Sequence, residues 1–263
     1  MLKDITRQIT IIIATFITII VNLFSNFITG KSVAAISNRF PVPVTPAGWA
    51  FSVWGIIYTG LIAFAIYQAL PAQRTNPRLR RIGYWYLLSC VANIAWLFLW
   101  VNEHITLSLV AMVVLLLSLI TLYLRADMNR TNIARVERWC VNIPFGIYMG
   151  WITVATIVNV TVVLFNLGWN GLGISPEIWT TLLLIVGTVI ALSVGITRVD
   201  IAYIATVVWA YSAILVKNIP IPMIAITAGV MIAILLLGIV LIALRRKQLR
   251  AGATPFSFID FAK

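Results

Sequence analysis

The sequence predicts an all-α, polytopic transmembrane helix bundle of about eight spans, and three observations carry that prediction. Apolar side chains make up 62% of the 263 residues and charged ones 10%, too little polar surface to coat a water-soluble globule of this length. The apolar residues gather into eight stretches, most of them near the roughly 20 residues that cross a hydrocarbon core about 30 Å thick. The stretches are uniformly apolar, whereas barrel strands would alternate polarity over shorter segments.

The first stretch, 8–29, follows Lys3 and Arg7 and carries Asn22 and Asn26 four residues apart on one helical face. It is longer than a signal-peptide core and is read as a retained helix. The second, 47–70, opens after Pro41, Pro43 and Pro46, which stiffen the connection before it. The third and fourth, 83–101 and 104–124, are separated by a tight Asn102-Glu103-His104 turn, where His104 is a chain-reversing residue and not a ligand. The fifth runs over 139–165 and the sixth over 177–196. The seventh, 201–216, is short enough to sit partly re-entrant, which leaves seven spans as the other count. The eighth, 221–244, starts at the breaker Ile219-Pro220-Ile221-Pro222, and 245–263 reads as a short cytoplasmic tail. Residues 1–263 form a single membrane domain.

Charge orients the bundle. If alternate connections share a side, one side holds all of the nineteen Lys and Arg residues except Lys31, Arg39 and Lys217. Such a bias marks cytoplasmic loops and places both termini inside, in the cell (inner) membrane of a bacterium-like arrangement. The net charge of +12 is therefore topological. No basic cluster interleaved with aromatics sits on a soluble domain, so no nucleic-acid partner is expected. Arg245-Arg246-Lys247 is placed to touch anionic membrane lipid.

The two cysteines, Cys90 and Cys140, have no metal or redox spacing and read as small packing residues. Every Asp and Glu falls in a loop, a tail or a helix end, which argues against an ion-coupled transporter with a carboxylate at mid-membrane. The spans hold no His, Asp or Glu to serve a hydrolase, so no enzyme and no metal site are expected.

What remains for the interior is aromatic, amide and hydroxyl chemistry. Trp54 and Tyr58 share a face of the second helix, beside Trp49 and Phe51. Asn93 and Trp96 lie on a stripe of the third helix with Ser89 and Trp100, and Tyr148, Trp151, Ala155 and Asn159 follow helical spacing along the fifth. An amide in hydrocarbon is costly without a partner, so three such stripes point to a shared interior cavity for a flat, largely apolar ligand. In that reading the tryptophans stack on the ligand while Asn93, Tyr148 and Asn159 hydrogen-bond to it. Single tryptophans at span ends, such as Trp85, Trp139, Trp169 and Trp179, need only the membrane interface to explain them.

The segment Pro46-Ala47-Gly48-Trp49-Ala50-Phe51-Ser52-Val53-Trp54-Gly55-Ile56-Ile57-Tyr58 resembles the second-helix signature of the TspO/MBR family, the translocator or tryptophan-rich sensory proteins. Asn93-Ile94-Ala95-Trp96 resembles the family's third-helix Asn-x-x-Trp, and Tyr148-Met149-Gly150-Trp151 with Asn159 its fifth-helix pattern. The two second-helix tryptophans stand one residue closer than in the better-known members, and Ser52 replaces a proline. The resemblance covers a five-helix core, 5–165, and leaves 177–244 as three additional helices. It implies a membrane receptor or sensor that binds a porphyrin or sterol-like molecule under a cap made by residues 30–46, with no cofactor other than such a porphyrin ligand. Passive transport of the same ligand is the alternative it leaves, and a homodimer is left open. A cholesterol-recognition pattern through Leu119, Tyr123 and Arg125 is too permissive to assign anything.

Overall fold

A computed structural model describes residues 2–129 and 133–250, and its ordered elements are helical throughout, with no strand among the described residues. The eight long helices are α1 (Leu2–Thr29), α2 (Val53–Ala69), α3 (Pro77–Val101), α4 (Ile105–Arg125), α5 (Ile143–Asn166), α6 (Pro176–Arg198), α7 (Ile201–Lys217) and α8 (Pro222–Arg250). Each coincides with one of the apolar stretches. Local chemistry sets the starts: Asn76 accepts from the Arg78 N–H ahead of Pro77, Ser175 from the Ile178 N–H ahead of Pro176, and Asp200 from the Tyr203 N–H. A 3-10 turn, Gly48–Ser52, leads into α2, and a π turn, Arg138–Asn142, leads into α5 just before Pro144 removes a backbone donor.

The helices alternate in direction and form two layers. In the first, α1 packs on α2 and α3, α3 on α4, and α4 on α5, which also touches α2. In the second, α7 lies against α5 and is flanked by α6 and α8. Burial follows this order. Just over half of the α5 span (56%) is buried, against 28% for α1 and 22% for α8, so α5 is the axis of the bundle and α1 and α8 face the surroundings. Seven helices are long and apolar enough to cross a membrane. The seventeen residues of α7 make a rod of about 25 Å. It nevertheless runs from the basic end of the bundle, where Asp200 meets Tyr123, to the opposite end, where Lys217 and Asn218 meet residues 43–45. A helix packed among three others has no need of full membrane length, which accounts for the shortness of this stretch.

The C-terminal boundary also differs from expectation. Helix α8 continues to Arg250, so Arg245-Arg246-Lys247 lies within it and not just past it, and Arg246 donates to the Val199 carbonyl. Residues 251–263, most of the expected tail, lie outside the described residues.

Small residues set the close crossings. A Cβ on Gly60 would meet the Pro144 ring at 2.8 Å, and one on Gly150 would meet the Tyr203 carbonyl oxygen at 2.8 Å, so α2–α5 and α5–α7 approach through missing side chains. Gly55 has nothing within 4 Å of such a Cβ. Gly150→Ala is therefore expected to destabilise the protein by about 1–3 kcal/mol through overpacking. Gly55→Ala should be neutral or stabilising by a few tenths of a kcal/mol to about 1 kcal/mol. Thermal unfolding in detergent of the two variants checks the contrast, and equal shifts would show that the α5–α7 crossing is not tight.

Candidate functional site

The three stripes do meet, but they meet chiefly through bonds to one another. The Asn22 amide donates to Asn93 Oδ1 at 2.8 Å, and Asn93 Nδ2 donates to the Tyr148 hydroxyl at 3.3 Å, joining α1, α3 and α5. One turn or more further on, the Trp96 indole N–H donates to Asn159 Oδ1 at 3.1 Å, and Asn159 Nδ2 donates to Ser108 Oγ at 3.2 Å, joining α3, α5 and α4. Around these bonds the rings pack at ordinary aromatic distances: Trp54 stacks on Tyr58 (5.4 Å between centroids) and stands edge-on to Tyr148 (5.9 Å), while Phe51 stands edge-on to Trp151 (5.7 Å).

The expected single cavity is consequently divided. Trp96, Trp151, Ala155 and Asn159 enclose, with Phe51 and Trp100, an inner space of only about 30 Å³, enough for one water molecule. On the other side of Phe51 and Val33, a groove of about 310 Å³ opens between α1 and α2, lined by Asn22, Asn26, Trp54 and Tyr58. Trp49 belongs to neither. It is 43% exposed and stands edge-on to Trp209 of α7, 4.8 Å away, because the 3-10 turn rotates it off the Trp54–Tyr58 face. The hydrogen-bonding roles also change. Asn93, Tyr148 and Asn159 are engaged with protein partners, whereas the indole N–H groups of Trp54 and Trp151 and the Tyr58 hydroxyl have no hydrogen-bond partner among the described residues.

A cap closes this end of the bundle. Ser32 caps the short helix Val33–Ser37, the Val33 carbonyl accepts from the Trp100 indole at 3.3 Å, and Phe40 lies 6.1 Å from the Trp100 ring. The remainder of the cap is held by α7: Asn218 Nδ2 donates to the Pro43 carbonyl (2.8 Å), Lys217 to Thr45 Oγ1, the Ala47 N–H to the Ala213 carbonyl (3.2 Å) and the Trp209 indole to the Ala50 carbonyl (3.0 Å). Glu103, in the turn between α3 and α4, takes Lys31 at 2.9 Å and Arg39 at 2.7 Å. Lys31, Arg39 and Lys217, the three basic residues that the charge pattern set apart, are thus all spent on the cap.

The family model described as TSPO-like protein matches residues 8–241. The chain belongs to the TSPO-like protein family. The matched region runs through α6 and α7 and most of α8, so the whole eight-helix arrangement and not the five-helix core alone carries the likeness. No curated protein and no solved structure matches the chain. It is an integral membrane protein of this family.

Sequence patterns gave no sign of a second polar assembly at the basic end of this TSPO-like protein. Arg78 pairs with Glu137 and donates to Asn142 Oδ1 (3.1 Å) and to the Ala126 carbonyl (2.9 Å); Asn142 donates to Asn129 Oδ1 (3.0 Å); Asn129 donates to Asp200 Oδ2 (2.9 Å), which also accepts from the Tyr123 hydroxyl (2.6 Å). Glu137 and Asp200 stand at helix ends, where the sequence placed them. They are 7% and 2% exposed, because the helix ends fold inward over them and Gly146 gives Asp200 room. Tyr123, bonded to Asp200 and 2% exposed, is not offered to a sterol. The distance in sequence between these partners, up to 77 residues, is what hid them.

Two pH responses follow. The Lys31 ammonium bonded to Glu103, helped by Arg39, holds that exposed carboxyl below its ordinary 4.5. Its contribution is therefore complete above that value and is lost as pH falls through the lowered one. Hydrogen exchange of residues 31–46, corrected for intrinsic rates, should speed up at acid pH, and Glu103→Gln should show the fast exchange already at neutral pH. Burial pushes the Asp200 carboxyl above its ordinary 3.8 against the pull of Tyr123. A raised value means that stability from this group is complete below 3.8 and falls as pH rises through the raised value. Asp200→Asn is expected to flatten that part of the Tm-versus-pH curve, and an unchanged slope would assign the dependence elsewhere.

Proposed function

We propose that this protein is a membrane receptor or sensor for a flat hydrophobic ligand of tetrapyrrole or sterol-like shape. The observation that carries the reading is the pairing of an aromatic groove of about 310 Å³ with donors that have no partner. Trp54 and Tyr58 present a stacked wall, and their N–H and O–H, with the Trp151 N–H beyond Phe51, are available to acceptors on a ligand. The groove is at the small end of ligand pockets, about 300–1,000 Å³, so a tetrapyrrole would seat its edge there and enlarge the site by turning Phe51 aside. Family membership supports the reading, since the aromatic and amide motifs fall inside the matched region.

Binding is favoured over passive transport by the narrowness of the inner space and by a cap held at several points. The reading includes no catalytic step. Following the charge bias, we place both termini on the cytoplasmic side of the cell (inner) membrane and the cap on the far side.

Titration of protoporphyrin IX into the detergent-solubilised protein, followed by quenching of tryptophan fluorescence, tests the proposal. Saturable quenching is expected, with affinity falling roughly tenfold in Trp54→Phe and several-fold in Tyr58→Phe as a donor or stacking face is lost. Trp49→Phe should leave affinity unchanged. Quenching that does not saturate, or equal effects at all three positions, would overturn the site. Saturable flux of the same ligand across proteoliposomes would replace the receptor with the transporter.

A further inference from the structure

At the basic end of the bundle, opposite the cap, two arginines stand out for what they lack. Arg7 of α1 is 8% exposed, with its stem against Gly83 of α3; one nitrogen donates to the Arg74 carbonyl at 3.0 Å, and Nε and Nη1 have no partner. The Arg74 side chain, in the connection between α2 and α3, makes no hydrogen bond or ion pair with any described residue, and its Nε is buried. Asp4 holds Arg80 with both carboxylate oxygens, at 2.7 and 2.8 Å, and its charge also acts on Arg7, which leaves Arg74 as the arginine of this group with no acidic partner among the described residues. Lys3, one turn before Arg7 on α1, is exposed and adds to the excess. Positive charge held out of water without a counter-ion is costly.

Toward the same end of the bundle, α1 and α2 part to leave a groove of about 330 Å³. Ile12, Phe16 and Ile19 form one wall and Ile62 and Ile66 the other; the groove ends at Pro71, three residues before Arg74. Its one hydroxyl, on Thr15, is already bonded to the Ile11 carbonyl and the Tyr86 hydroxyl. The floor therefore offers hydrocarbon contact alone, and the chain that leaves the groove at Pro71 reaches the unpartnered Arg74 three residues on.

We propose that this is a binding site for one anionic phospholipid. An acyl chain lies in the α1–α2 groove, and the headgroup phosphate is taken by Arg74, with the buried Arg7 supplying positive potential behind it. A guanidinium fork matches phosphate oxygens better than an ammonium does. Basic pockets at helix ends on the side rich in Lys and Arg meet the leaflet that carries anionic lipid. The site shares no lining residue with the aromatic groove and stands whether or not that groove takes a ligand.

The test is thermal stability of the full-length, delipidated protein in detergent with phosphatidylglycerol, phosphatidylcholine or inorganic phosphate at equal phosphate concentration. Phosphatidylglycerol is expected to raise Tm saturably and the other two are not. Arg74→Ala, which removes a side chain with no partner to lose, should weaken the apparent phosphatidylglycerol affinity about fivefold. Ile66→Trp, which fills the groove, should weaken it too, and Arg81→Ala on the exposed start of α3 should not. An equal response to phosphatidylcholine would mean that the groove is merely bathed in lipid, and an equal response to phosphate would mean an anion site without a chain. Either result, or wild-type affinity in both Arg74→Ala and Ile66→Trp, overturns the proposal.

Discussion

A polar side chain inside a bilayer has no water to fall back on, and the arrangement of this bundle answers that constraint twice. Near the cap, Asn22, Asn93 and Tyr148 bond in series, and Trp96, Asn159 and Ser108 form a second series. At the basic end, Arg78, Asn142, Asn129, Asp200 and Tyr123 bond in a longer one. Each bond is worth little against the alternative of another partner, on the order of 1 kcal/mol. Their geometric content is larger. Each fixes the rotation of one helix against another, which apolar side chains that pack equally well on lipid cannot do.

Helix α7 joins the basic-end assembly to the cap. Its N-cap, Asp200, belongs to the basic-end series, and its other end holds the cap through Trp209, Lys217 and Asn218. The helix is short, buried and wedged against α5 at Gly150, so it is a rigid strut between the two faces. It braces the cap from the far side of α5, with α6 and α8 packed against it.

Hydropathy located every helix because the membrane imposes a length and a composition together, and it placed even α7, whose shortness has its reason in tertiary packing. Helical spacing also brought Asn93, Tyr148, Trp151 and Asn159 to one region. What periodicity could not supply was the state of that region. Whether Phe51 stands between two spaces or leaves one open depends on a ring orientation, and Trp49 left the group because five residues coil as 3-10 and not as α-helix. The basic-end series was illegible for a different reason. Asp200 and Glu137 look like ordinary loop charges until the connections fold back over them, and no local pattern encodes a partner some 70 residues away.

The distribution of spent and unspent donors separates architecture from recognition. Asn93 and Asn159 are the residues that look most like ligand contacts, yet each bonds through both its oxygen and its nitrogen to other helices, so replacing either disturbs the bundle before it disturbs a ligand. Trp54, Tyr58 and Trp151 hold donors without a hydrogen-bond partner among the described residues, at the edge of an aromatic wall. A molecule that offers acceptors on the rim of a flat apolar body gains from those donors, whereas a pure hydrocarbon would leave them unsatisfied in a dry site. On the proposed reading, selectivity between a carboxylated or carbonyl-bearing ring system and a plain lipid chain would rest on indole and phenol groups, with the amides as the fixed frame on which those groups are aimed.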